Sequence, residues 1–152
     1  MKTYKQMVSE VAKEVSELYP WDVEAKDNPD MLTLDIREPY EFDAMHIEQS
    51  INVPRGILEQ SCEWDYEETI PELVCCRQRE IIVACRSGYR SVLAAYTMQL
   101  MGYENVQSLK TGLRGWNDYE LPLVDNNGKE VDMEAADEYF ASKVREDQRK
   151  PI

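Results

Sequence analysis

The pattern of hydrophobic and polar positions predicts alternating strands and helices between residues 30 and 120. Short apolar runs predict strands at 31–36, 51–53, 81–84 and 105–109. The run at 81–84 has no polar residue, as expected of a central parallel strand covered on both faces. Between and after these strands, helices are expected at 38–42, 55–60, 71–78, 92–101 and 112–120. This alternation predicts an α/β fold with a central parallel sheet and helices on both faces.

Amphipathic segments flank this region at both ends of the chain. The N-terminal one places apolar residues three or four apart, on one helix face that Tyr19-Pro20 would terminate: Val8, Val11, Val15 and Leu18. The C-terminal one begins at a capping Asp132 and has an apolar side made of Met133, Ala136, Phe140 and Val144. We therefore expect an N-terminal helix and connection packing on the domain (1–29), a core (30–122), and a turn with a C-terminal docking helix and tail (123–152).

Composition narrows the classes of partner. The 152 residues carry 17 Lys plus Arg and 30 Asp plus Glu, a formal net charge of −13, which argues against nucleic acid and anionic membrane surfaces. No apolar run approaches the roughly 20 residues that span a bilayer, and no signal peptide is visible. A soluble, cytoplasmic protein with one hydrophobic core is the expectation.

Four cysteines are present, and they fit no disulfide framework: Cys62, Cys75, Cys76 and Cys85. Adjacent Cys75 and Cys76 would form a strained disulfide, and the single histidine, His46, does not complete a zinc site. We therefore expect free thiols and no metal, and the roles of Cys62, Cys75 and Cys76 stay open.

Cys85 directly follows the most hydrophobic strand and opens the loop Cys85-Arg86-Ser87-Gly88-Tyr89-Arg90-Ser91. Ligands of parallel sheets bind at the carboxyl ends of strands, where loop amides and a helix N-terminus favour anions. Such a loop would favour the thiolate of Cys85. A buried, inert cysteine is the alternative, but two arginines in so short a loop would repel one another without an anion between them.

Three separated segments resemble the signatures of one family, the single-domain rhodaneses (thiosulfate sulfurtransferases). They run from Leu34 to Pro54, from Cys85 to Arg90 and from Leu109 to Trp116. The sequence departs from the family pattern at Met45, at 48–50, where Pro-Gly-Ala is usual, and at Thr111, where glycine is common. Those positions shape turns, so we expect altered loop geometry and little loss of function.

The resemblance implies a single rhodanese-like domain that transfers a sulfane sulfur through a persulfide on Cys85. A small anionic donor such as thiosulfate would load the cysteine, and cyanide, a thiol or a protein would accept the sulfur. No cofactor is implied. The expected substrate-binding residues are the rest of the loop, Arg86, Ser87, Gly88, Tyr89 and Arg90, with Arg55 as a candidate for the pocket rim.

Other functions remain open at this point. Phosphatases and arsenate reductases also use a strand-end cysteine, but the tyrosine-phosphatase pattern places five residues between cysteine and arginine, and here Arg90 follows after four. A regulatory domain without turnover would be expected to lack the cysteine. A persulfide carrier that delivers sulfur to a protein shares the same chemistry, and the sequence does not separate it from an enzyme acting on small molecules.

Overall fold

A computed structural model describes all 152 residues. Five parallel strands form one sheet in the order β1-β5-β4-β2-β3. The strands are β1 (Ser16–Leu18), β2 (Leu32–Asp35), β3 (Ile51–Asn52), β4 (Ile81–Ala84) and β5 (Val106–Leu109). The helices are α1 (Tyr4–Ala12), α2 (Pro20–Glu24), α3 (Pro39–Ala44), α4 (Leu58–Ser61), α5 (Pro71–Val74), α6 (Arg90–Leu100), α7 (Gly112–Asp118) and α8 (Met133–Phe140). The predicted α/β architecture is confirmed.

The central strand β4 is covered on both faces, as its unbroken apolar sequence predicts. Ile81 and Val83 belong to one hydrophobic cluster, which α1 and α6 cover. Ile82 and Ala84 belong to the other, which α2, α7 and α8 cover. Successive side chains of a strand point to opposite faces, so a strand buried on both sides must be apolar at every position.

The N-terminal segment differs from the predicted single helix. Helix α1 ends at Ala12, and Ser16–Leu18 forms β1, which pairs in parallel with β5 at the edge of the sheet. Val15 is buried in the same cluster as Val8, so the helical spacing identified real core positions. Val8 and Val11 lie in α1 as predicted, whereas Val15 lies between α1 and β1 and Leu18 lies in β1. A three-residue edge strand is too short to give an alternation of its own.

Two departures from the family pattern lie at turns with unusual backbone geometry. Gln49 has a φ of 66° and Thr111 a φ of 68°. Both values lie in the left-handed region, where an L residue with a Cβ atom is disfavoured and glycine is not. The glycines common at these places in the family pattern would adopt such φ values without strain, whereas this chain has Gln49 and Thr111 there.

The two ends of the chain pack on this core. Helix α1 lies against α6, and α8 lies against α7. The turn after Asp125 returns the chain so that Val124 pairs in antiparallel fashion with both His46 and Glu130. Helix α8 is shorter than expected, because the chain leaves the helical conformation after Phe140 and Val144 lies outside it. None of the helices is long and apolar enough to span a bilayer.

Candidate active site

Cys85 lies at the carboxyl end of β4, and its sulfur is held by backbone amides. The amide of Gly88 donates to Sγ at 3.1 Å, and the amide of Ser91 donates at 3.4 Å. Ser91 lies in the first turn of α6, whose positive dipole end therefore faces the sulfur. Cys85 is only 1% exposed. Amides converging on one buried atom stabilise negative charge there.

Further amides of the loop have no hydrogen-bond partner within the protein. They include those of Arg86, Ser87 and Tyr89, which lie between β4 and α6. Unpaired amides beside a helix N-terminus form an anion-binding surface. The loop can therefore hold a charged sulfur on Cys85 and still offer donors to a second anionic group.

The start of α7 supports the loop from behind. The amide of Leu113 donates to the Cys85 carbonyl at 2.8 Å, and that of Arg114 donates to the Arg86 carbonyl at 3.0 Å. Gly112 has a φ of 63°, and a Cβ atom at this position would overlap the Arg86 carbonyl group. With the carbonyls turned toward α7, the amides are free to face the sulfur. This contact explains why the Leu109–Trp116 segment accompanies the cysteine loop in the sequence.

Arg90 is paired with a carboxylate of the protein. Its two terminal nitrogens donate to the Glu41 oxygens at 2.9 Å and 3.0 Å. Burial alone would raise the pKa of Glu41, but hydrogen bonds from Arg90 and the Glu38 amide, with the nearby arginine charges, hold that pKa below its usual value. The hydrogen bond to Glu41 in turn raises the pKa of Arg90 above its usual value. The expectation that the loop arginines need an anion between them is therefore corrected, because Glu41 already neutralises Arg90.

The other two predicted arginines are also engaged by the protein. Arg86 donates to the carbonyls of Phe140 and Ala141 at the end of α8, at 2.9 Å and 3.3 Å. Arg55 donates to Glu59 at 3.3 Å and to Thr97 at 3.2 Å. Thr97 lies seven residues past Arg90 on α6, about 10 Å along the helix. The structure therefore directs Arg55 away from the loop, contrary to its expected place at the pocket rim.

A buried ion pair connects β2 to the start of α3. Arg37 donates to both carboxylate oxygens of Asp35 and, at 2.7 Å, to the Met45 carbonyl. Asn52 of β3 donates to the backbone carbonyls of Asp35 and Arg37. These bonds fix the direction in which the chain enters α3, the helix that carries Glu41. The motif therefore positions the partner of Arg90 rather than contributing to the chemistry.

Two cavities flank the cysteine loop. The first, of about 750 Å³, is bordered by loop residues 87–89 and contains an aromatic cluster and two cations: Tyr19, Trp21, Tyr119, Lys110 and Arg114. The second, of about 390 Å³, lies on the side of Arg86 and also includes Tyr40, Glu41 and Lys143. Each cavity has room for a small molecule next to the loop.

Sequence reasoning missed three kinds of residue around Cys85. Glu41 lies inside the first signature, yet only the folded chain shows that it binds Arg90. Tyr4 of α1 packs edge-on against Tyr89 with ring centroids 5.6 Å apart, and burial together with the charge of Cys85 raises the pKa of its phenol. The Ser108 hydroxyl of β5 lies 2.7 Å from that of Ser91, which contacts Cys85 Sγ, and its only sequence signal is a polar residue in a buried strand.

The remaining cysteines and His46 lie away from this chemistry. Cys75 and Cys76 precede β4, so they lie on the side of the amino ends of the strands, whereas Cys85 lies at the carboxyl end of β4. All four cysteines are free. Burial raises the pKa of the Cys62 thiol. Nδ1 of His46 lies 2.8 Å from the Phe42 carbonyl, and the ring stacks on Phe42, which is a structural role.

A cysteine in an amide cradle at the end of a central parallel strand defines a site that favours negative charge on its sulfur. The chain belongs to the rhodanese-like domain family, whose family model matches residues 21–119. Helix α1, strand β1 and helix α8 lie outside that match.

Relatives at about 30% identity are named as sulfurtransferases or sulfur carriers. The sulfurtransferase of Allochromatium vinosum is 33% identical over 103 residues, which cover 67% of this chain and 86% of the relative. The thiosulfate:glutathione sulfurtransferase of Saccharomyces cerevisiae is 28% identical, with 71% and 75% covered. Relatives from Schizosaccharomyces pombe and Bacillus subtilis are 32% identical, but the match spans only 62% and 40% of their lengths.

The fold also resembles a solved structure for which a different activity has been suggested. A Rhodopseudomonas palustris protein of unknown function, suggested to be a tyrosine phosphatase, has a TM-score of 0.73 and 26% identity to this chain. The likeness covers 82% of this chain and 96% of that one. The fold is thus shared with a protein proposed for phosphate chemistry, so the choice between sulfur and phosphate depends on the site itself.

Proposed function

We propose that the protein is a sulfurtransferase that moves a sulfane sulfur from thiosulfate, or a similar donor, through a persulfide on Cys85 to cyanide or a thiol. The observation that carries this proposal is the amide cradle. Two amides already bind Cys85 Sγ, and further loop amides, including those of Arg86, Ser87 and Tyr89, are unpaired. A nucleophile held in this way can attack, carry one additional anionic sulfur and leave again.

In the first half of the reaction, the Cys85 thiolate attacks the outer sulfur of thiosulfate. The sulfur–sulfur bond of thiosulfate breaks, and its electron pair leaves with sulfite. Cys85 then carries a persulfide whose charge resides on the outer sulfur. The free amides of Arg86, Ser87 and Tyr89 are the donors for that charge.

In the second half, a nucleophile attacks the outer sulfur of the persulfide. The bond between the two sulfurs breaks, and the electron pair returns to Cys85 Sγ as thiolate. Cyanide leaves as thiocyanate, and a thiolate leaves as a persulfide of its own. Neither step uses a metal or an organic cofactor. Together the two displacements replace one direct transfer of sulfur from donor to acceptor.

Recognition of the donor is assigned to the loop amides and to Arg86, because Glu41 neutralises Arg90. Arg86 and Lys143 border the smaller cavity, and the carboxylate of Glu41, which is paired with Arg90, borders it as well. The net charge of −13 does not prevent the binding of an anionic donor, because salt at physiological concentration screens charges that lie more than about 8 Å away. A small anion therefore experiences the local cations and amides more than the acidic surface.

Sulfite release from thiosulfate tests the proposal against phosphate chemistry. The short spacing between Cys85 and Arg90 and the pairing of Arg90 with Glu41 disfavour a tetrahedral phosphate in the loop. We expect one sulfite released per protein chain without acceptor, and continuous release once cyanide is added. A phenyl phosphate ester should give no phosphate. Phosphate release without sulfite release would contradict the proposal and favour a phosphatase or arsenate reductase.

The larger cavity is proposed as the site of a thiol acceptor. Its rim is formed by Trp21, which stacks on Tyr19 with centroids 4.5 Å apart and contacts Tyr119 at 5.3 Å. Trp21 is nevertheless 46% exposed, so its ring is available to a ligand. Lys110 and Arg114 offer positive charge to a carboxylate of the acceptor. Glu17 and Asp118 border the same cavity and can accept hydrogen bonds from amino or amide groups of the acceptor. This combination suits an organic thiol that carries a carboxylate, and cyanide needs none of it.

Trp21→Ala is expected to raise KM for a carboxylate-bearing thiol acceptor by roughly tenfold, which corresponds to the loss of about 1.4 kcal/mol of contact. KM for cyanide should change far less, because cyanide makes no contact with the ring. Steady-state kinetics with both acceptors measure the difference. Trp64→Ala is the matched control, because Trp64 is similarly exposed but lies outside this cavity. An equal rise of KM for both acceptors would contradict the assignment.

A protein acceptor is the second candidate. The acidic surface would disfavour an acidic partner, so the docking face of such a protein should be neutral or basic. Mixed disulfides trapped at Cys85 would identify it. The four free cysteines support the expectation of a reducing compartment such as the cytoplasm.

A further inference from the structure

Three buried side chains form a hydrogen-bonded chain that ends on the reactive sulfur. The distance from Cys85 Sγ to Ser91 Oγ is 3.3 Å, and that from Ser91 Oγ to Ser108 Oγ is 2.7 Å. Ser91 and Ser108 are both 0% exposed. Ser91 belongs to α6 and Ser108 to β5, so the contact joins the helix that faces the sulfur to the neighbouring strand.

The direction of these hydrogen bonds depends on the charge of the sulfur. If the Cys85 thiol donates to Ser91, there are two cases. Either Ser91 donates to Ser108 and the Ser108 hydrogen has no acceptor within the protein, or Ser108 donates to Ser91 and the Ser91 hydrogen has none. If the sulfur is anionic, Ser108 donates to Ser91 and Ser91 donates to the sulfur, and every hydroxyl hydrogen has an acceptor. A buried hydroxyl without an acceptor is costly, so the arrangement with the anionic sulfur is favoured.

We propose that Ser108 is a positioning residue that directs the Ser91 hydroxyl toward Cys85 Sγ whenever this atom carries negative charge. The proposal rests on the proposed function and deepens it. Ser91 is the group that touches the sulfur, and Ser108 acts through it. Ser108 lies outside the cysteine loop, and its side chain contacts no cavity beside that loop.

The hydroxyl chain acts at two moments of the reaction. Before loading, it stabilises the thiolate that attacks the donor. In the persulfide, the charge moves to the outer sulfur, and Sγ becomes a neutral, weak acceptor. When the acceptor takes the outer sulfur, the electron pair of the broken bond returns to Sγ, and the Ser91 hydroxyl donates to the departing thiolate. Both the reactivity of the thiolate and the discharge of the persulfide should therefore depend on Ser108.

Ser108→Ala tests the proposal in two assays. The first is alkylation of Cys85 at neutral pH, followed by peptide mapping, and the second is discharge of the preloaded persulfide to cyanide. We expect both rates to fall about tenfold, the factor for losing the alignment of one hydrogen bond to a charged sulfur. Ser61→Ala is the matched control, because Ser61 is also buried but donates to the Ile57 carbonyl, away from Cys85. Its two rates should stay at the wild-type value.

A double-mutant cycle with Ser91→Ala separates positioning from a general structural effect. Because Ser108 acts only through Ser91, Ser108→Ala should cause no further slowing once Ser91 is alanine. Equal slowing in both backgrounds, or unchanged rates in Ser108→Ala alone, would overturn the proposal. Alkylation does not require sulfur transfer, so this assay still tests the hydroxyl chain if no sulfur donor loads the protein.

Discussion

Replacing Cys85 with serine is expected to abolish sulfur transfer, lowering thiocyanate formation from thiosulfate and cyanide by more than about 10³-fold. A serine hydroxyl is not ionised at neutral pH, so it cannot act as the attacking anion. It also has no sulfur atom with which to form the sulfur–sulfur bond of a persulfide. The amide cradle by itself binds an anion but transfers nothing. Steady-state assays at saturating thiosulfate measure the loss.

Cys76→Ser is the matched control for this substitution. Cys76 is also a free thiol, and it lies on the side of the amino ends of the strands, opposite to Cys85 at the carboxyl end of β4. Its variant should keep nearly the full rate, and both variants should unfold at similar temperatures. If Cys85→Ser retained more than a tenth of the activity, another cysteine would have to carry the sulfur and the proposed site would be wrong.

Replacing Asp35 with asparagine is expected to destabilise the fold by about 3–5 kcal/mol, the range for breaking a buried ion pair from one side. Arg37 is 0% exposed, and its Nη1 already has no partner in the protein. Removing the carboxylate leaves a buried cation without its counter-charge. Urea unfolding followed by circular dichroism measures the change in the free energy of unfolding.

Two further variants show whether the charge is responsible. The double substitution Asp35→Leu with Arg37→Met removes both charges and should recover much of the lost stability. Glu59→Gln breaks the exposed pair with Arg55 and should cost less than about 1 kcal/mol. A cost for Asp35→Asn as small as that for Glu59→Gln would show that the buried pair does not hold the entry to α3.

The strands were predictable where burial leaves a clear pattern in the sequence. Strand β4 is buried on both faces, so every residue is apolar and the assignment is unambiguous. Strand β1 has only three residues and forms through pairing with β5, about 90 positions further along the chain. Nothing local distinguishes such a strand from the continuation of a helix, because its stability comes from the partner strand.

The cysteine loop was predictable for a similar reason, but its electrostatics were not. A cysteine between a buried strand and a helix is a local pattern, and the structure places the loop as expected. The partner of Arg90 comes from α3 and that of Arg86 from the end of α8, both distant in sequence. The sequence therefore does not reveal that Glu41 neutralises the charge of Arg90, whereas Arg86 binds only neutral backbone carbonyls. Ser108 likewise gains its meaning only when β5 lies beside β4.

If Cys85 alone carries the transferred sulfur, peptide mapping by mass spectrometry after incubation with thiosulfate will show it most directly. The four cysteines give a built-in comparison, because all are free thiols and only Cys85 lies in the amide cradle. We predict the added mass of one sulfur atom on the peptide that contains Cys85, removed completely by cyanide. Added sulfur on a peptide with Cys62, Cys75 or Cys76, or no added sulfur with any donor, would contradict the account.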